Sequence, residues 1–284
     1  MYTSLMTDLL SIKADLPRAI ELAARHRFGG VDVGSGALGA PDMDVEAVRE
    51  QFARAGVRPG YIGMSPGRVP VPESVWQIAL AELPLVARRA QQIGYSRAAL
   101  VVLPFHETLA FEAAFAEHVR RSNQMTTILD DYGIALALEY VSPVSRRSPY
   151  PHAFVHDLAG MLRLCDALDS SRVGILLDSF HWHCAGETAA DLERLTPARV
   201  VVVHVNDAPP VPREAQVVGE RTLPGATGVI DIAGFMGALK TIGYDGPVTC
   251  EPMASAIAAL GASGDDELLS QASASLDAIL PDAG

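Results

Sequence analysis

The chain has 284 residues, a formal net charge of −12 and an apolar fraction of 49%. An acidic surface repels nucleic-acid phosphates and anionic membranes, so the charge argues against nucleic acid and membrane as partners. The length exceeds that of most single domains, although (β/α)8 barrels of about 250 residues form one domain.

Cysteine usage and the N-terminal segment indicate the compartment. Cys165, Cys184 and Cys250 form no CxxC pair and cannot all be paired within one chain, which is typical of a reduced cytosolic protein. The N-terminal segment lacks the basic start, apolar run and cleavage site of a signal peptide. No apolar run reaches membrane-spanning length. We therefore expect a soluble, cytoplasmic protein.

Short apolar runs alternate with helix-length segments along the chain. The first helix is expected to begin at the cap residue Asp15 and to stop at Gly29, and the second to begin at Asp44 and stop at Gly56. Pro84 lies inside a later helical segment and predicts either a kink or two helices. Strands are expected at residues 2–7, 30–34, 57–64, 97–104, 133–140, 172–178, 200–206 and 246–252. Helices between or after them are expected at residues 72–93, 107–131, 157–168, 187–195, 231–242 and 265–279.

This alternation, without a break in composition, predicts one closed (β/α)8 TIM barrel that covers residues 1–284. The continuous apolar strands are typical of a parallel sheet that is buried on both faces. The alternative is an open, doubly wound sheet. Its GxGxxG fingerprint is matched only in part by Gly34-Ser35-Gly36, a segment that we expect to be a loop.

Polar residues end the last four predicted strands, at the end where such barrels carry their chemistry. They are Glu139, Asp178, His204 and Glu251. Each alone could be a helix cap, a core histidine or a partner of arginine. Three carboxylates side by side repel one another, however, and a divalent cation would remove that cost. Together the four residues predict one metal site, with ligands that suit Mn²⁺, Mg²⁺, Co²⁺ or Zn²⁺.

The segments that contain these residues resemble a known family. They read LALEYVSP, ILLDSFHWH, VVVHVNDAP and RTLPGATGVID before GYDGPVTCEPM. The pattern resembles the xylose-isomerase-like TIM barrels, in particular the sugar phosphate isomerase/epimerase group of ketose 3-epimerases, hydroxypyruvate isomerase and inosose dehydratase. The resemblance runs from about Gly29 to Glu251. The chain departs from it at residues 225–228, where relatives have Gly-Glu-Gly, and at Asp32, where relatives often have Glu.

The resemblance implies a metal-dependent isomerase or epimerase that acts on a ketose or a related keto-sugar. One divalent ion, expected to be Mn²⁺, would be held by Glu139, Asp178, His204 and Glu251 and would stabilise an enediolate. Glu139 and Glu251 are implied to act as acid and base, and His181 and Arg221 to contact substrate. A metal-dependent dehydratase of the inosose or dehydroshikimate type begins with the same proton removal and stays open as the alternative.

Further features at the same end of the barrel are less specific. His106 follows the fourth strand and is another candidate for substrate contact, although an ordinary loop histidine is the simpler interpretation. The long loop 141–156 carries Arg146 and Arg147, which could form a lid, a phosphate clamp or only a solvated pair. The family also leads us to expect a small-molecule sugar partner and a homodimer or homotetramer.

Two other classes of protein fit the sequence less well. An AP-endonuclease-like DNA repair barrel requires more histidine ligands, including one near the third strand, and Ile62-Gly63-Met64 provides none. The net charge of −12 also opposes DNA binding. A catalytically silent barrel is disfavoured because all four ligands and the Asp178–His181 pair are present.

Overall fold

The computed structural model describes residues 1–280, and the last four residues of the predicted domain lie outside that range. Eight strands close into a parallel barrel: β1 (Tyr2–Leu5), β2 (Gly30–Gly34), β3 (Arg58–Val69), β4 (Arg97–Val102), β6 (Ala135–Tyr140), β8 (Val173–Asp178), β9 (Val200–Val205) and β10 (Pro247–Cys250). Their order around the barrel is β1-β10-β9-β8-β6-β4-β3-β2. Two short strands, β5 (Phe105–His106) and β7 (His152–Ala153), form a separate antiparallel pair. The predicted (β/α)8 fold is confirmed.

Helices surround the barrel. The long ones are α1 (Leu16–Arg25), α3 (Val45–Ala55), α4 (Glu73–Ile93), α5 (Phe111–Asp131), α7 (Leu158–Asp166), α10 (Ile232–Thr241) and α12 (Asp265–Ile279). The short ones are α2 (Ser35–Gly39), α6 (Val144–Arg147), α8 (Ser179–Ala185), α9 (Ala189–Leu192) and α11 (Ala254–Leu260). Helix α4 runs through Pro84 as one element. Among residues 1–280, no helix combines the length and the apolar character needed to cross a bilayer.

The predicted caps define several helix starts. The Asp15 carboxylate accepts a hydrogen bond from the backbone N–H of Arg18, and Asp44 does the same for Ala47. Gly56 ends α3 with a φ of 66°, a left-handed conformation that glycine adopts without steric cost. The predicted stop of the first helix at Gly29 was too late. Helix α1 ends at Arg25, and Arg27 makes the turn with a φ of 62°.

Three other local predictions were wrong. The segment Gly34-Ser35-Gly36 is not a loop, because Gly34 is the N-cap of α2. The helix expected at 187–195 is only the single turn α9, which starts at a capping box between Thr188 and Asp191. Strand β3 continues beyond residue 64 to Val69, because after an irregular stretch its end pairs again with β4.

The register of the last strands brings their ends together. Asp178 of β8 is paired with His204 of β9, and His204 with Thr249 of β10. Glu251 lies two residues beyond Thr249 and therefore on the same face. Below this level, the barrel interior is filled by Tyr61, Ala99, Ala137, Leu176 and Val202. The small alanines of β4 and β6 leave room above them for the Glu139 side chain.

Candidate metal centre

The structure brings the four predicted ligands together. Glu139, Asp178, His204 and Glu251 each offer one ligand atom, and these atoms lie within 4.8 Å of one another. Glu139, Asp178 and His204 are buried, and Glu251 is mostly so. Such a cluster of carboxylates is costly without a compensating positive charge.

The contacts of His204 fit a metal ligand. Its Nε2 lies 2.9 Å from the hydroxyl of Tyr61, inside the barrel. Its Nδ1 faces Glu251 Oε2 at 3.4 Å and has no hydrogen-bond partner within residues 1–280. A buried ring nitrogen without a partner is unfavourable unless something else occupies that direction. A cation between His204 and the carboxylates would satisfy this atom.

Asp178 acts as a helix cap and also contributes one of the four clustered ligand atoms. Its Oδ1 accepts hydrogen bonds from the backbone N–H groups of Phe180 at 2.7 Å and His181 at 3.2 Å, which starts α8. Its Oδ2 accepts from the Asn206 side-chain amide at 2.9 Å. The Oδ1 atom of Asn206 also accepts a hydrogen bond from the backbone N–H of Glu251 at 3.2 Å. Asn206 therefore fixes two of the four ligands relative to each other.

Arg221 provides a positive charge beside the cluster. Its Nη1 lies 3.1 Å from Asp178 Oδ2 and 2.8 Å from Glu251 Oε2. The guanidinium is 3% exposed and packs over the ring of Phe180. One guanidinium balances one of the three carboxylates, and a divalent cation would balance the other two. The donor set and its net charge therefore fit a divalent metal ion.

The pKa values reflect this crowding. Burial, and then the negative charge of Glu251, raise the pKa of Glu139 to about 8. Burial also acts to raise the pKa of Glu251, but Arg221 and His204 outweigh burial and hold it well below its usual value. Burial alone would lower the pKa of His204, but the neighbouring carboxylates, Glu251 foremost, raise it to about 9. Without a metal ion, protons on this cluster compensate part of its negative charge.

His181 is a neutral donor next to the cluster. Burial, followed by the charge of Arg221, holds its pKa well below the usual value, so the ring is uncharged. Its Nδ1 accepts the backbone N–H of Ser142 at 3.4 Å, which leaves the hydrogen on Nε2. This Nε2 lies 3.9 Å from Glu139 Oε1. An N–H group is thus directed towards the site above the carboxylates.

The cluster forms the floor of a cavity of about 630 Å³. Glu139, Glu251, His181 and Arg221 line its lower part, and the walls include Val71, Val101, Leu103, Val141 and Val218. The volume is adequate for a small polar metabolite. Four of the predicted site residues therefore share one cavity, with Asp178 and His204 beneath it.

His106 lies elsewhere. It lines an adjoining cavity of about 670 Å³ and not the cavity above the carboxylates. Its Nδ1 accepts backbone N–H groups of Thr108 and Leu109, which is a local turn contact. The predicted substrate contact of His106 stays a prediction, since only a ligand that extends into this second cavity would reach it.

The sequence interpretation missed the residues that support the ligands. Tyr61 and Asn206 were given no role, although Asn206 is two positions after His204 on the same strand face. Asp32 is buried inside the barrel and accepts hydrogen bonds from Ser4 Oγ at 2.7 Å and Thr249 Oγ1 at 2.5 Å. A polar residue inside an apolar strand is the signal that would have found Asp32 and Tyr61.

The fold and the site together define a (β/α)8 barrel in which three carboxylates and one imidazole cluster at adjacent strand ends, a group that could hold a divalent metal ion. The chain belongs to the xylose isomerase-like TIM barrel family, whose model matches residues 20–277. This finding confirms the resemblance of the strand-end segments.

Among curated proteins, an inosose isomerase of Bacillus subtilis is 26% identical over 140 residues, which are 48% of this chain and 48% of that protein. The match thus spans about half the length of this relative. The structure is similar to a xylose isomerase domain protein of Alicyclobacillus acidocaldarius, with a TM-score of 0.84, 28% identity and coverage of 98% and 97% of the two chains. It is also similar to the zinc-bound IolI protein, with a TM-score of 0.80, 19% identity and coverage of 99% and 98%.

Proposed function

We propose that the protein is a divalent-metal-dependent isomerase or epimerase that moves a proton at the carbon next to the carbonyl of a ketose or related keto-sugar. The observation that carries this proposal is the placement of Glu139 and Glu251. They stand at the two ends of the row of ligand-bearing strands, β6-β8-β9-β10, and line one cavity. A sugar carbon above the cluster would have a carboxylate on either side.

The metal would be held by Glu139, Asp178, His204 and Glu251. When bound, the ion supplies Lewis-acid stabilisation of the negative charge that develops on substrate oxygens. We propose Mn²⁺ as the native ion because oxygen-rich donor sets with one imidazole suit it. Zinc, which the IolI structure contains, is the first alternative to test.

Residues of the chain would carry out proton transfer, substrate binding and orientation of the ligands. One of the two glutamates removes the proton and the other returns one, which yields an epimer when the two act on opposite faces of the carbon. The neutral His181 donates its Nε2 hydrogen to a substrate oxygen, because Ser142 fixes the other nitrogen. Arg221 orients Asp178 and Glu251 through its two contacts. The apolar walls exclude water from the reacting carbon.

The relatives support an activity of this type. Curated relatives that match about half of the chain are named inosose isomerases. D-psicose 3-epimerases have the same fold. We propose a small-molecule keto-sugar as the partner of the site, in a cytoplasmic homodimer or homotetramer.

The test is a solvent-exchange experiment. The protein is loaded with Mn²⁺ and incubated in D₂O with a panel of ketoses, inososes and hydroxy-keto acids, and proton NMR follows each compound. Deuterium next to the carbonyl in a substrate or its isomer is the expected result. Glu139→Gln and Glu251→Gln should each abolish turnover, whereas Glu187→Gln, which removes a half-buried carboxylate outside the cluster, should not.

The other outcomes of this experiment are informative. A deoxy-keto product or an enone would contradict isomerisation and identify a dehydratase. No exchange on any compound, with Mn²⁺ demonstrably bound, would refute the proposed reaction for these substrates.

A further inference from the structure

Two arginines stand at the mouth of the cavity above the metal cluster. Arg68 lies near the end of β3, and Arg146 lies in α6 of the loop after β6. Both line the cavity above the carboxylates and both also line the adjoining cavity that contains His106. They therefore lie where the two cavities meet.

Neither guanidinium contributes a contact that stabilises the described part of the fold. Within the described part of the chain, the side chains of Arg68 and Arg146 form no hydrogen bond or ion pair, and Arg68 is exposed while Arg146 is half-buried. The neighbouring Arg147, in contrast, donates to the backbone carbonyl of Ser142. Arginine side chains that serve the fold normally have such partners, so these two are available to a ligand.

Few acidic side chains lie near the two arginines. Among the residues that line the first cavity, the acidic side chains are Glu139 and Glu251, which belong to the metal cluster on the floor. Glu107 is the one acid that lines the adjoining cavity, and it is exposed. A locally cationic mouth on a chain of net charge −12 favours an anionic ligand group.

We propose that the substrate is an acidic keto-sugar, whose phosphate or carboxylate group is bound by Arg68 and Arg146 while its carbonyl end lies above the metal cluster. Guanidinium groups bind phosphate and carboxylate oxygens through two parallel hydrogen bonds. The apolar side chains between mouth and floor, Val71 and Leu103 among them, line both cavities and separate the two charged ends. This inference rests on the proposed function, because it assigns the carbonyl end of the substrate to the metal cluster.

The test measures binding without turnover. Calorimetric titrations of the Mn²⁺-loaded protein use three polyols that have no carbonyl group: D-glucitol, D-glucitol 6-phosphate and D-gluconate. The variants are Arg68→Gln and Arg146→Gln. The matched control is Arg18→Gln, which makes the same change in net charge at an arginine of α1 outside both cavities.

The expected result is a preference of about tenfold or more for at least one charged polyol over D-glucitol. In Arg68→Gln and in Arg146→Gln, the affinity for the charged polyol should fall about tenfold, and the affinity for D-glucitol should not change. The Arg18→Gln control should bind all three polyols as the wild type does. A stronger response to the phosphate than to the carboxylate would identify a sugar phosphate, and the reverse a sugar acid.

Equal affinities for charged and neutral polyols would overturn the inference, as would no measurable binding of either charged polyol. A loss in Arg18→Gln as large as in the two variants would overturn it as well, since it would be an effect of net charge alone. The titrations involve no proton transfer. They therefore separate failure of this inference from failure of the proposed isomerisation, which the D₂O experiment tests.

Discussion

The hydroxyl of Tyr61 lies 2.9 Å from Nε2 of His204, so a residue of β3 fixes a predicted metal ligand on the far side of the barrel. Tyr61 is itself held in place, because its backbone N–H donates a hydrogen bond to the Asp32 carboxylate at 2.9 Å. Asp32 in turn accepts from Ser4 and Thr249. This buried network directs Nδ1 of His204, which has no hydrogen-bond partner among residues 1–280, towards the carboxylates.

Tyr61→Phe should weaken metal binding. It removes the partner of His204 Nε2 and leaves the ring free to rotate, and such supporting hydrogen bonds are worth about 10- to 100-fold in metal affinity. Competition with a chelating dye measures the Mn²⁺ affinity. Tyr95→Phe is the control, because it removes another buried hydroxyl, one that donates to the carbonyl of Val31. Equal affinities in the two variants would show that Tyr61 does not position His204.

Arg221→Met should destabilise the metal-free protein more than the metal-bound protein. Without its guanidinium, Asp178 and Glu251 are left buried with an uncompensated charge, a loss of about 3–5 kcal/mol. A bound cation replaces part of the missing charge. Urea unfolding with EDTA and with Mn²⁺ measures both free energies. Arg121→Met, which breaks a buried guanidinium pair with Glu117, should cost the same in both conditions. An equal loss for Arg221→Met would argue against charge compensation.

Glu187 should make stability depend on pH. Its carboxyl accepts from the Tyr140 hydroxyl and from the backbone N–H of Leu158, both at 2.6 Å, and burial raises its pKa from 4.5 to about 7. Between pH 4.5 and about 7, the Glu187 carboxyl is therefore protonated in the folded state and ionised in the unfolded state. This contribution is complete below pH 4.5 and is lost as the pH rises through 7, by about 3 kcal/mol.

Urea unfolding at pH 5 and pH 8 tests this prediction. The wild type should lose more stability over that range than Glu187→Gln, whose amide does not titrate. Glu193→Gln, at an exposed position, should retain the wild-type dependence. If wild type and Glu187→Gln have parallel profiles, Glu187 is ionised in the folded protein at pH 5.

Gly60→Ala should be strongly destabilising. A Cβ at this buried position would overlap the Asp32 carboxylate and lie 2.7 Å from Ser4 Oγ, so the network below His204 would have to move. We expect a loss of about 2–4 kcal/mol, measured by urea unfolding. Gly237→Ala is the counterpart at an exposed position of helix α10, where a Cβ meets nothing within 4 Å. It should stabilise by about 0.5–1 kcal/mol. A tolerated Gly60→Ala would contradict the tight packing around Asp32.

The approximate positions of the barrel strands and the clustering of the four predicted ligands could be predicted because their signals are local. Glu139 and Glu251 are acidic residues at the ends of apolar strands, and side-chain alternation alone assigns them to the inner face. Tyr61 could not be assigned in this way. Its contact with His204 joins residues 143 positions apart and depends on how the barrel closes. The place of Arg68 at the cavity mouth likewise follows from the irregular continuation of β3, which no periodicity indicated.

A calorimetric titration of Mn²⁺ into the chelator-treated protein tests the central claim most directly. One ion per chain should bind to the wild type and to Glu187→Gln, whereas Asp178→Asn and His204→Gln should each lose affinity by at least about tenfold. A wild type that binds no divalent ion, or variants that bind it as tightly as the wild type, would contradict a metal centre formed by these four residues.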